Sequence, residues 1–241
     1  MWDLQFYLLI GLLVFAGFTV RVVTGFGSTM LIAPLLALFL APKQVVVFVI
    51  LLESAIGVIF ILKEKLNFDE KPIFIGGIAG IIAGILLFGW LSQMLVGLII
   101  GVSVLTFSLL FLANITFKTK REHPFFTTLG FLSGAMGVLT GINGPHIVLG
   151  LVNQGYDADF IRRCMITYLI VIDFITLASF SVSGYVTVKI LKLLVYSIPF
   201  LLLAFGAGTC VLKFIDPEKL KRVILVTTLF AGIFAIWKIV P

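Results

Sequence analysis

Charge is what this chain has least of. Asp, Glu, Lys and Arg together make up 12% of its 241 residues, and the longest polar link, 114–124, is only about ten residues long. A composition this poor in charge excludes an ordinary soluble domain. There are also no large soluble loops or tails on which a partner protein could dock. The two cysteines, Cys164 and Cys210, lie inside apolar segments without CxxC spacing. With only two histidines and no HxxxH, they indicate neither a disulfide framework nor a metal site. No P-loop, dinucleotide fingerprint or nucleophile motif occurs, so an enzyme, a bound cofactor and ATP-driven transport by this chain alone are not expected. Cations outnumber anions 17 to 11, but they sit in short loops between apolar runs, which argues against a nucleic-acid partner. The start, Met1-Trp2-Asp3, lacks the positive region of a cleaved signal, so it reads as part of the mature protein.

What the chain does have is hydrophobic sequence, 61% of it. Apolar runs fall at 4–20, 29–41, 44–62, 72–90, 94–113, 125–138, 145–154, 163–182, 190–213 and 219–239. Most are near the roughly 20 residues that span a bilayer. The fold class is therefore all-α, a polytopic helical membrane protein with the lipid bilayer as its surroundings.

One stretch occurs twice. Shifting by 116 positions lays Val23 to Leu35 without a gap on Leu139 to Leu151, pairing Thr24 with Thr140 and Gly25 with Gly141. Each copy carries two glycines close together, Gly25 and Gly27, then Gly141 and Gly144, and each interrupts a helix. In hydrocarbon such a break must line a cavity or be covered by protein. A second match, at an offset of 120, lays 48–60 on 168–180 and pairs Glu53 with Asp173.

Each break is either one discontinuous span or a hairpin returning to the same face. With hairpins, 12 cations fall on one face and 4 on the other, Arg21 staying inside; with single crossings the division is 9 against 7. The positive-inside rule favours the hairpins. A hairpin plus three spans is an odd number of crossings, so the second half starts on the opposite face. The expected organisation is two inverted repeats, each a broken-helix hairpin followed by three transmembrane helices, over 1–117 and 125–241, joined by a basic cytoplasmic loop at 118–124. Both termini are then expected outside the cytoplasm. Inverted repeats with interrupted helices are the sequence pointer to a secondary transporter site.

The residues at the breaks suit an anion. A new helix is expected to start after each, with Ser28 as a cap in one and Pro145 at the first helical position of the other. Helix starts present free N–H groups and a positive dipole end. Arg21 lies one turn before Gly25 and faces the same region, where it needs an anionic partner, protein or substrate. Thr24, Phe26, Thr140, Asn143 and His146 complete the candidate substrate cradle with the glycines. Glu53 and Asp173 fall near the middle of intact spans, where an ionised carboxylate must be paired. They are candidates for coupling transport to a proton or cation, with a static ion pair of Glu53 with Arg21, or neutral acids hydrogen-bonded to backbone, as the other reading.

At these residues the sequence resembles the sulfite exporter (TauE/SafE) family of membrane permeases. The resemblance rests on Gly25-Phe26-Gly27-Ser28 followed by an apolar run ending at Pro34, and on a second Gly-rich stretch after the central basic loop, and it covers essentially the whole chain. It implies movement of a small sulfur-containing anion, such as sulfite or a sulfonate, across the bacterial cytoplasmic membrane. The second motif departs from the expected run of glycines, reading Gly141-Ile142-Asn143-Gly144-Pro145-His146. Two other readings stay open: a cation transporter using Glu53 and Asp173, and a non-transporting scaffold or accessory subunit. The sequence leaves the anion, the direction, the coupling ion and the formation of a homo-oligomer open.

Overall fold

The computed structural model describes residues 4–113, 119–211 and 233. The last expected run, 219–239, lies almost entirely outside the described residues, as does part of the central link. Among the described residues the chain is helical throughout, in the order α1 (Leu4–Thr24), α2 (Ser28–Leu36), α3 (Pro42–Lys63), α4 (Lys71–Trp90), α5 (Gln93–Leu112), α6 (Glu122–Thr140), α7 (Gly144–Gln154), α8 (Ala158–Val182) and α9 (Val188–Val211). Six of them, α1, α3, α4, α5, α8 and α9, are long and apolar enough to cross a membrane. The expected runs and the helices agree to within a few residues, because Gly, Pro and charge punctuate each run in the way that ends a helix.

Both short helices double back on the helix before them. In the first pair, a methyl group added to Gly17 of α1 would meet Ile32 of α2, and in the second, Gly150 of α7 faces Leu129 of α6. The turn is made by glycine in the left-handed region, Gly25 at φ 81° and Gly141 at φ 75°, where a side chain would be strained. In each case the glycine N–H still bonds one turn back, Gly25 to the Arg21 carbonyl and Gly141 to the Gly137 carbonyl, both at 2.8 Å.

The two halves are laced together. α4 lies against α6 along a seam of glycines, where an added methyl on Gly76, Gly80, Gly130 or Gly134 would stand 2.0–2.2 Å from a backbone carbonyl of the facing helix. Such contact is available only without side chains, and it replaces the hydrophobic drive that lipid removes between helices. α1 pairs in the same crosswise sense with α9, Gly208 of α9 lying against Val22 and the Thr19 carbonyl. The first hairpin of each half thus leans on the other half. The core this encloses is built around α3, whose residues Val45–Leu52 are almost completely buried, while side chains such as Ile82, Leu86 and Leu203 face outward.

Gly80→Leu or Gly134→Leu should cost more than the roughly 1–3 kcal/mol of ordinary overpacking, because backbone carbonyls cannot swing aside. Gly206, where an added methyl group would meet open space, is the control. The measurement is thermal unfolding in detergent, with Gly206→Leu expected near the unmodified protein and the two seam variants far below it.

Candidate functional site

The two breaks meet. A methyl group on Gly144 would stand 3.3 Å from Phe26 Cβ, and one on Gly141 would stand 3.3 Å from Thr29 Cγ2. Between them lies a cleft lined by Arg21, Gly27, Ser28, Thr29 and Glu53 on one side and by Ile142, Asn143, Gly144 and Pro145 on the other. It is narrow, leaving about 10 Å³, room for roughly one water molecule.

At its centre stands the Glu53 carboxylate. Arg21 Nε lies 2.6 Å from Glu53 Oε2, with the two side chains 1% and 3% exposed. Ser28 donates its hydroxyl to Glu53 Oε1, and Thr29 donates to the same oxygen at 3.2 Å. Arg21 also donates from Nη1 to the Gly25 carbonyl at 3.0 Å, tying the cation to the break one turn on. Its remaining Nη2 is buried without a hydrogen-bond partner. A buried ion pair needs this kind of support, since its desolvation is repaid only by good geometry and further hydrogen bonds.

The second half repeats the plan with milder chemistry. Asn143 Nδ2 donates to Asp173 Oδ1 at 2.6 Å, so again the residue at a helix start holds a mid-span carboxylate. Ser133 on α6 donates to the Asn143 carbonyl and fixes the turn. Asp173 Oδ2 and the hydroxyl of Thr176, one turn on, are buried without partners.

The remaining expected site residues divide between shaping the cleft and lying outside it. Thr24 and Thr140 brace the breaks internally: each hydroxyl accepts from the N–H two residues on, Phe26 at 3.4 Å and Ile142 at 3.0 Å. Thr140 also donates to the Met136 carbonyl at 2.7 Å. Phe26 turns its ring toward Phe111 of α5, with centroids 5.9 Å apart. His146 points away from the cleft, edge-on to Phe107 at 4.4 Å, in a separate apolar cavity between α5, α6 and α7. Asn143 precedes the first turn of α7 and turns back to Asp173, whereas His146, inside the helix, faces α5. Ser28 is not a cap, because α2 is preceded by Gly27 in the left-handed region with no side-chain cap. Its hydroxyl goes to Glu53 instead. Pro145 does occupy the first turn of α7. Thr29 and Ser133 were not legible as site residues, since hydroxyls on apolar helices usually bond their own backbone.

A buried cation, two helix starts and the Glu53 carboxylate line this cleft, with Asp173 held behind Asn143, inside a multi-pass helical bundle, an arrangement that suits a membrane permease. The chain belongs to the sulfite exporter TauE/SafE family, whose family model matches residues 9–235. Membership makes it a transporter and not an enzyme. Comparison with curated proteins and with solved structures gives no match.

Removing one partner of the central pair leaves the other charge buried, so Arg21→Met alone should cost about 3–5 kcal/mol, whereas Arg21→Met with Glu53→Leu should be near neutral. Thermal unfolding of the two variants in detergent measures the difference.

Proposed function

We propose that this chain carries a small sulfur-containing oxyanion, sulfite or a sulfonate, across the cytoplasmic membrane of a bacterium, with the anion held near the middle of the bilayer between the two breaks and its passage coupled to a proton. The observation that carries this reading is Glu53 itself. Arg21, Ser28 and Thr29 together already hold a carboxylate, at the start of α2 and beside the cleft. The cradle is therefore an oxyanion site occupied by the protein's own anion. A substrate anion takes that place only if Glu53 leaves or is neutralised, because two negative charges at one buried cation repel. Protonation of Glu53 frees Arg21, and proton uptake becomes part of loading. Asp173, held by Asn143 in the facing half, is placed to take the corresponding role for the opposite face.

Two inverted halves, 1–117 and 125–241, suit this scheme, with both termini outside the cytoplasm. The 2.7 Å pair of Glu64, just beyond the end of α3, with Arg162 near the start of α8 puts those two ends at one end of the bundle. The hairpin reading requires this, and a reading with single crossings places them apart.

A cation reading has one observation in its favour, the partnerless Asp173 and Thr176 oxygens on one face of α8. The two readings separate in proteoliposomes. On the anion reading, Arg21→Ala weakens sulfite binding at least about tenfold, the worth of a charged hydrogen bond. Glu53→Gln keeps or strengthens binding and flattens the pH dependence of flux, and Asp173→Asn flattens it while binding persists. Loss of sulfite binding in both carboxylate variants, together with cation uptake by the unmodified protein, would establish the cation reading instead.

A further inference from the structure

The α3–α4 linker is fastened over the start of the second half's α8 by three polar links. Arg162 Nη2 donates to Glu64 Oε1 at 2.7 Å, both side chains being 26% exposed. The Asn67 N–H donates to the Thr167 hydroxyl at 2.7 Å. Tyr156, in the turn before α8, donates its hydroxyl to Glu70 at 2.5 Å. Burial first, and the Glu70 carboxylate second, raise the Tyr156 phenol above its ordinary value, so it remains a donor at physiological pH.

Arg162 also touches the first break. A methyl group on Gly25 would lie 3.2 Å from Arg162 Cγ, and the carbonyl of that same Gly25 is held by Arg21. One residue of the break thus separates the outer arginine from the central one. Arg162 Nε is buried and has no hydrogen-bond partner, so its guanidinium holds a donor in reserve while its tip stays reachable.

We propose that Arg162 is an outer anion-binding residue and that its pair with Glu64 is the gate between one mouth of the protein and the central cradle. This rests on the anion reading of that cradle. An incoming oxyanion takes the place of Glu64 on the guanidinium, whose planar fork matches two oxygens as well as it matches a carboxylate. Release of Glu64 frees the linker from α8, and the anion passes Gly25 to Arg21. Both arginines are then held at rest by glutamates associated with α3, Glu53 within it and Glu64 at its end, so one helix carries the internal anion of each station.

The test uses sulfite as the probe, in proteoliposomes, with Glu64→Gln, Arg162→Gln and the exchange Glu64→Arg/Arg162→Glu. Both side chains are part exposed, so the variants are expected to fold. Glu64→Gln should lower KM for sulfite roughly twofold to fivefold, the range for a solvent-accessible ion pair, and Arg162→Gln should raise it. The exchange rebuilds the pair but moves the cation off Gly25, so KM should stay high. Unchanged KM in both single variants, or full recovery by the exchange, overturns the proposal. A second readout needs no transported anion: in a chain carrying Cys164→Ala and Cys210→Ala, Ser28→Cys is labelled by a membrane-impermeant maleimide. Labelling should quicken when Glu64→Gln is added, and an unchanged rate rejects the gate. Failure of sulfite to bind the unmodified protein would remove the anion reading of the cradle, while the labelling rates would still decide whether the pair closes the mouth.

Discussion

A guanidinium with 1% of its surface exposed, inside a bundle surrounded by hydrocarbon, is the constraint on which the rest of this structure depends. Bulk water does not reach Arg21, so the charge needs an anion from the protein, which supplies Glu53 from the middle of α3. The carboxylate in turn needs donors for its second oxygen, which fixes Ser28 and Thr29 at the start of a helix aimed at it. That helix can start there only because the chain turns back at Gly25 and Gly27. Charge, hydroxyls and glycines are therefore one device, and a change in any of them is felt by the others.

The second device is the crosswise pairing of helices. Among the described residues each hairpin leans on the other half as well as on its own; α6 of the second half rests on α4 of the first, and α1 rests on α9. Backbone contact along α4 and α6 is too close for any side chain, which makes that seam stiff. The cradle by contrast is held by hydrogen bonds and one ion pair. A stiff seam beside a polar, reversible closure is the division of labour that a rocking or gating transporter needs.

Much of this was legible in the sequence, and for identifiable reasons. Helix ends followed from the turn residues and charges between the apolar runs, and the breaks followed from an ungapped repeat whose glycines, Gly144 apart, adopt left-handed backbone. Arg21 was placed by simple helical spacing from Gly25. Glu53 was legible as a buried acid, but whether its partner was Arg21, backbone or a cation depended on which face of α3 meets α1 and α2, and that is set by tertiary packing. His146 was misplaced for the complementary reason, because proximity to a break along the chain does not say on which side of the new helix a residue falls. The linker contacts at Glu64, Asn67 and Glu70 gave no signal at all, since pairs nearly a hundred residues apart leave no local pattern.

The crosswise pairing also bears on how such a chain is made. Helices inserted one after another as the ribosome works cannot all meet their final neighbours at once. α1 must await α9, whose contact residue Gly208 lies far downstream of Val22. At about 5–20 residues per second, the interval is on the order of ten to forty seconds, during which the arginine-bearing first helix is in the membrane without its permanent neighbour. Glu53 emerges early in that interval, only about 30 residues after Arg21. The pair of Arg21 with Glu53 draws on first-half residues alone, so a partner for the charge is available in the chain before the second half exists to cover it.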